Sequence, residues 1–184
     1  MWRCVLSIVP EADDPRTWTQ AAIGLGGNIG DPAGAMAEAL TIFDGRDDCR
    51  VDAVSRLYRT PPWGKTDQAD FFNSCALLST RLSAKALLDL CLSIERGMKR
   101  VRIERWGPRT IDIDVLTFGE QGEIHEEGLD VPHPRMTERG FVLMPLADIA
   151  PDLKVLGKTV SAWLSQADVS GIAVADAARD WWRR

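Results

Sequence analysis

The order of hydrophobic patterns predicts an α+β chain: a ferredoxin-like βαββαβ sandwich in which two helices cover one face of an antiparallel sheet and the other face is left for ligands. Two observations predict it. Apolar runs of strand length and stretches of helical periodicity follow one another as strand, helix, strand, strand, helix, strand across residues 21–118. In the last strand, Asp112 and Asp114 alternate with Ile111, Ile113 and Val115, so one face can be buried while the other stays open and acidic.

Ala21 to Leu25 is a short apolar run ending in Gly26-Gly27-Asn28-Ile29-Gly30, a buried strand entering a tight turn. Asp31 followed by Pro32 is a helix start, and Met36, Ala39, Leu40 and Phe43 recur at helical spacing behind it. Val51 to Tyr58 has strand character. Thr60-Pro61-Pro62-Trp63-Gly64 must be irregular, because consecutive prolines forbid both helix and ladder. Phe71 to Thr80 is the next strand, and Ser83 caps a second helix with the stripe Leu87, Leu90, Cys91, Ile94 and Met98. Residues 111–118 form the following strand. Beyond it, Glu120 to Glu123 reads as a hairpin turn, Val142 to Ile149 as a helix begun near Glu138, and 159–167 as a weaker helix. The tail through Trp181-Trp182-Arg183-Arg184 receives no role.

At 184 residues, with 45% hydrophobic content, the chain is expected to hold one domain over residues 20–168, preceded by a loosely ordered arm (1–19) and followed by a C-terminal tail (169–184). Four cysteines without a CxxC pair, and only His125 and His133 as imidazoles, argue against zinc and for a reducing compartment. The apolar run Cys4 to Val9 is broken at once by Pro10 and acidic residues, too short for a signal peptide or membrane span. A cytoplasmic location is expected.

The region around the acidic pair carries the chemistry. Side chains at i and i+2 on a strand face stand roughly 6 to 7 Å apart. Two carboxylates at that spacing can ligate one hard cation or each help hold one of a pair, magnesium being usual where phosphates supply further oxygens. The bland alternative is an exposed face that the aspartates merely solubilise, although paired like charges on a strand are unfavourable. Just upstream, Arg96, Lys99, Arg100, Arg102, Arg105 and Arg109 stand against Glu104 alone, a local balance of +5 in a chain of net charge -5. A basic island in an acidic protein suits one small polyanion rather than nucleic acid, and arginine forks grip phosphate bidentately. A solvated basic loop is the alternative.

No GxxxxGK[ST] loop occurs, and Gly24-Leu25-Gly26-Gly27-Asn28 lacks the GxGxxG spacing, because Ile29 stands where the third glycine is due. Phe71 and Asn73 share a strand face, placing a ring and an amide where a flat heterocycle could stack on one and be read by the other. Trp106 could stack as well. Phe71 as core and Asn73 as a turn cap is the competing account.

Taken together, Gly24 to Asn28, Tyr58-Arg59-Thr60-Pro61-Pro62-Trp63-Gly64, Asp70-Phe71-Phe72-Asn73, Arg105-Trp106-Gly107-Pro108-Arg109-Thr110-Ile111-Asp112-Ile113-Asp114, Val131 to Met136 and Arg139-Gly140-Phe141 resemble the 6-hydroxymethyl-7,8-dihydropterin pyrophosphokinases of folate biosynthesis. The resemblance runs over about residues 20–168. It implies an ATP-dependent diphosphotransferase that moves the terminal diphosphate of ATP onto the hydroxymethyl group of a reduced pterin and releases AMP. It further implies that Asp112 and Asp114 hold two Mg2+ ions, with Arg100 and Arg109 beside them as catalytic groups. Glu95, Arg102, Arg105, His133 and Arg139 would serve ATP. Thr60, Pro61, Trp63, Phe71, Asn73, Trp106 and Phe141 would form the pterin slot, with Phe141 and Trp106 stacking on the ring. ATP and the pterin are the expected partners, without nucleic acid or membrane, and the chain is expected to be a monomer. A catalytically silent nucleotide- or pterin-binding homologue is the alternative, disfavoured because the carboxylate pair is retained. Departures from the family pattern are Gly27 in place of the usual serine, Leu92 where glutamine is frequent, and an arginine loop one residue shorter than in some relatives.

Overall fold

The computed structural model describes residues 17–62, 67–98, 109–119 and 122–184. Strand β1 (Thr19–Gly27) leads into helix α1 (Pro32–Asp44). The predicted start is in place: the Asp31 carboxylate accepts from Gly34 N–H at 3.0 Å and proline fills the first turn, a cap that contributes about 1 kcal/mol. The single strand expected over 51–58 is two, β2 (Cys49–Val54) and β3 (Leu57–Thr60). They break at Ser55, a fully buried serine whose N–H donates to Cys75 O and whose hydroxyl donates to Arg56 O and accepts from Cys75 N–H. Satisfying a buried hydroxyl with backbone groups turns the chain out of its ladder there.

Strand β4 (Phe71–Thr80) and helix α2 (Ala84–Gly97, capped by Ser83) follow, then β5 (Asp112–Phe118). The next hairpin, β6 (Ile124–Glu126) and β7 (Leu129–Val131), turns at Glu127-Gly128, where Gly128 (φ 76) takes the left-handed conformation. Of the expected turn, Glu120 and Gln121 lie outside the described residues. A 3-10 turn at Met136–Glu138 precedes α3 (Gly140–Ile149), which therefore starts two residues later than Glu138. The short pair β8 (Lys154–Val155) and β9 (Lys158–Thr159) leads to α4 (Val160–Leu164). Tighter bonds, Gln166 N–H to Trp163 O and Ala167 N–H to Leu164 O, finish the stretch that reads as helix to 167.

Strand β10 (Ala173–Asp176) completes the elements. The main sheet runs β10-β3-β4-β1-β5, with β2 alongside β4 in line with β3, and every pairing is antiparallel. Apart from β10 this is the order of a βαββαβ sandwich. Ala21, Ile23, Leu25, Ala76, Leu78, Ile111, Ile113 and Val115 pack with α1 and α2 in one core. Ala22, Cys75, Leu77 and Leu116 face the opposite way, into a second core with Val142, Leu143 and Leu146 of α3 and Val160 of α4. The face left bare by α1 and α2 is thus half roofed by α3, and the remainder is a cleft. Among the described residues no helix is long and apolar enough to cross a membrane.

Candidate active site

Strand parity builds the cleft. Gly24 and Gly26 of β1, Phe71, Asn73 and Cys75 of β4, and Asp112, Asp114 and Leu116 of β5 line it together with Thr60, Pro61, Arg139, Phe141 and Val142. The floor is low because β1 offers glycines there: a methyl at Gly26 would stand 3.0 Å from Asn73 Oδ1 and one at Gly24 3.5 Å from Leu116. Burial pushes the Cys75 thiol well above its ordinary value, so it serves as a neutral apolar base.

Asp112 and Asp114 lie on the cleft face, with Ile111, Ile113 and Val115 buried behind them. Arg109 reaches back to pair with Asp112, and its guanidinium carbon lies 5.5 Å from the Phe71 ring centre, so one cation touches both the acidic pair and the aromatic wall. His133 Nε2 is 4.0 Å from Asp114 Oδ2. The Asp114 side chain is 43% exposed to the cleft, yet protein surrounds it closely. Burial and the like charge of Asp112 raise its pKa, against His133, Arg139 and Arg109, which lower it. Burial lowers the pKa of His133, aided by Arg139 and Arg135 and opposed by Asp114. Arg139 is desolvated too, which lowers its pKa, and among the described residues its Nε is buried without a hydrogen-bond partner. Positive groups around a carboxyl driven toward its neutral form make a place that gains from an arriving ion of either sign.

Across the cleft, Asn73 Nδ2 donates to Thr60 Oγ1 at 2.8 Å, fixing the amide so that its orientation is set before any ligand arrives. Phe71 belongs to neither core and lines the cleft. Phe141 on α3 also lines the cleft, its ring centre 5.6 Å from the Arg139 guanidinium carbon. Glu95 is not in the lining. It is 4% exposed on α2, its Oε1 accepting Ile113 N–H at 2.8 Å, and it braces β5 between the two aspartates. On the same strand Leu116 O accepts His133 N–H at 2.9 Å. Trp63, Arg100, Arg102, Arg105 and Trp106 lie outside the described residues. Among the described residues no group of three or more His, Cys, Asp or Glu converges on a metal position, so the carboxylates form a pair and not a complete cage.

Residues 22–151 match the model of the 7,8-dihydro-6-hydroxymethylpterin-pyrophosphokinase (HPPK) family. The chain belongs to that family. A 2-amino-4-hydroxy-6-hydroxymethyldihydropteridine pyrophosphokinase of Methylorubrum extorquens is 50% identical over 154 residues, covering 84% of this chain and 97% of the relative. One of Pseudomonas aeruginosa is 46% identical, covering 72% and 82%, and one of Synechocystis 39%, covering 89% and 84%. A wild-type Plasmodium falciparum HPPK-DHPS structure superposes with a TM-score of 0.64 at 17% identity, covering 82% of this chain. This chain spans 43% of that bifunctional one, and the likeness speaks for the fold alone.

Two features of this HPPK chain lie in its first glycine-rich motif. Asn28, legible only as part of a turn, joins three segments: Arg109 N–H donates to its Oδ1 at 2.9 Å, while its Nδ2 donates to Gln68 Oε1 at 3.2 Å and Ala69 O at 3.1 Å. Gly27, where the family usually has serine, is matched to its surroundings, since a Cβ there would fall 2.4 Å from Thr110 O. The signal for Asn28 is available in its side chain, which can both accept and donate where a glycine-rich turn leaves backbone groups unpaired.

Proposed function

We propose that the cleft holds ATP and 6-hydroxymethyl-7,8-dihydropterin side by side, the phosphates over Asp112, Asp114, Arg109, His133 and Arg139, and the pterin between Phe71 and Phe141 with Asn73 reading its edge. The chain is an ATP-dependent pyrophosphokinase of folate biosynthesis, as its family is. The observation that supports this reading of the site best is the juxtaposition of Asp112 and Asp114 on the open sheet face with Arg109, which touches both Asp112 and the Phe71 wall.

The hydroxymethyl oxygen attacks the β-phosphorus in line, the bond from that phosphorus to the oxygen bridging the α-phosphate breaks, AMP leaves, and the hydroxyl proton passes to solvent. Arg109 and Arg139 take up charge that grows on the phosphate oxygens, and Arg139 Nε, buried without a partner among the described residues, is a donor for them. Asn73, held by Thr60, orients the ring so that the hydroxymethyl group points toward the acidic pair.

The acidic pair fits magnesium. Asp114 has its pKa raised by burial and by Asp112, and a divalent cation between or beside the two would relieve both. Two carboxylates with phosphate oxygens and water are the ligand set Mg2+ favours, and two ions could share this face. When bound, the metal neutralises phosphate charge and aligns the reacting groups. From the resemblance, Arg100, Arg102 and Arg105 complete the phosphate clasp, with Glu95 positioning β5 for it, and Trp63 and Trp106 complete the pterin slot. The enzyme would work as a cytoplasmic monomer, where ATP and magnesium are abundant.

Purified protein with ATP, Mg2+ and the reduced hydroxymethylpterin should release one AMP per pterin diphosphate, and none without the pterin. Pterin binding with no AMP would leave a silent binding protein in place of an enzyme.

A further inference from the structure

The segment after α4 lies against two parts of the chain that carry cleft-lining residues. Strand β10 pairs with β3 in the register Ala173↔Arg59 and Val174↔Tyr58, alongside the strand that ends at Thr60. Gly171 lies against Pro61: a Cβ on it would stand 3.0 Å from Pro61 Cγ, and its φ of 74 disfavours any side chain. A few residues earlier, the backbone at Asp168 lies against the first residue of α3. A Cβ on Gly140 would fall 2.2 Å from Asp168 O and 3.3 Å from Val169 Cγ1. Between these contacts the chain is folded tightly, with Ser170 N–H donating to Asp168 Oδ1 at 2.9 Å and Ile172 N–H to Val169 O at 3.1 Å.

The far end is anchored independently. Trp181 Nε1 donates to Ser55 O at 3.0 Å, Trp181 and Trp182 are 7% and 6% exposed, and Arg179 donates to Asp148 O at 3.0 Å. A short segment fixed at its end and pressed by backbone against both Pro61 and Gly140 sets how far apart those two residues sit. Pro61 and Thr60 line the cleft, and so do Arg139 and Phe141, which flank Gly140.

We propose that residues 168–176 are a positioning strap that fixes the width of the cleft, with Gly140 and Gly171 as its two bearing points. Its relevance to the pterin rests on the functional reading above, but the strap itself is a mechanical statement about two walls. The bearing points differ in consequence. Displacing Pro61 through Gly171 disturbs the heterocycle wall, whereas displacing Gly140 moves Phe141 and Arg139 together.

The test compares Gly171→Ala, Gly140→Ala and, as a stability control in the opposite layer, Leu40→Ala, which is fully buried against the sheet on the α1 side. For each folded protein, equilibrium binding of the reduced pterin and of ATP with Mg2+ is measured beside the melting temperature and amide hydrogen exchange. Gly171→Ala should weaken the pterin about tenfold, the order expected of a sub-ångström misplacement, and leave ATP within about twofold. Gly140→Ala should weaken both ligands. Both should speed exchange at 57–60 and 141–143 without ligand, whereas Leu40→Ala should lower the melting temperature and leave these affinities and the local exchange pattern alone. Unchanged exchange at both walls in the glycine variants, or pterin affinity falling in Leu40→Ala as well, would overturn the strap. Because exchange needs no ligand, failure of the unaltered chain to bind the pterin would count against the functional reading, while the strap would still be decided by the exchange rates.

Discussion

Asn28 and Arg109 hold each other through a reciprocal pair of hydrogen bonds: Arg109 N–H donates to Asn28 Oδ1 and Asn28 N–H donates to Arg109 O, each at 2.9 Å. The other end of the same amide reaches Gln68 and Ala69, in the segment just before β4. One side chain therefore fixes both the residue that pairs with Asp112 and the approach to Phe71. Asn28→Ala removes three side-chain hydrogen bonds, each contributing about 1 kcal/mol or less where partly exposed. The expected outcome is a modest loss of stability, about 1 to 2 kcal/mol, with a larger loss of kcat/KM for both substrates because two parts of the site lose a common support. Denaturant melts and steady-state kinetics on the same preparation check this; activity that falls only in proportion to the folded fraction would reduce Asn28 to a loop staple.

Replacing either carboxylate of the acidic pair separates chemistry from folding. Asp112 and Asp114 point into the cleft while their strand neighbours fill the core, so Asp112→Asn and Asp114→Asn should melt near the unaltered temperature. Asp114→Asn removes a charge that burial and Asp112 disfavour, and can even raise stability. Turnover should nevertheless fall by about a thousandfold or more, the scale of losing a principal transition-state contact. AMP release and calorimetry read the two effects, and a collapsed melting temperature with retained turnover per folded molecule would contradict the assignment.

Phe71 distinguishes the two substrates. Its ring lines the cleft and lies under the Arg109 guanidinium, outside both cores. Phe71→Ala should therefore weaken pterin binding by roughly 1 kcal/mol or more, about fivefold or more, with ATP affinity little changed. Fluorescence titration of the reduced pterin against an ATP titration measures both, and equal loss of the two would point to general disordering of β4.

Strand parity explains how much of this was legible in the sequence. The alternation of Asp112 and Asp114 with Ile111, Ile113 and Val115 encodes which face is buried, because a residue cannot change face without shifting the register of the whole strand. The Asp31-Pro32 and Ser83 helix starts are local signals of the same kind. What escaped was non-local. The break at Ser55 depends on Cys75, twenty residues away, offering bonds to a buried hydroxyl. The tail carries β10 and two tryptophans into place against β3 and α1, partners that lie more than a hundred residues upstream. Asn28 looked like a turn residue because its three partners are scattered over residues 68–109.

Acid sensitivity should arise behind α3. Arg56 donates through Nε and Nη2 to Asp148, at 2.9 and 2.5 Å, and the Tyr58 hydroxyl donates to the same carboxylate at 2.7 Å, tying the end of α3 to the junction of β2 and β3. Burial alone would raise the pKa of Asp148, but the hydrogen bonds from Arg56 and Tyr58 and the arginine charge outweigh it, and the net shift is downward. A carboxyl with a depressed folded pKa contributes stability above its unfolded value, about 3.9, that disappears as pH falls through the folded value. Tyr58 is shifted upward, by burial first and then by its bond to Asp148, so its contribution is present below about pH 10 and is lost as pH rises through the higher folded value. The unaltered protein should thus lose stability on acidification from pH 5 to pH 3 and again above pH 10. Tyr58→Phe should cost about 1 kcal/mol at neutral pH, shrink the acid loss, and remove this alkaline contribution, because the phenol then neither holds Asp148 nor ionises. Melting temperatures of the two proteins across pH 3 to 11 decide it: parallel curves would mean that the triad is not the titrating element.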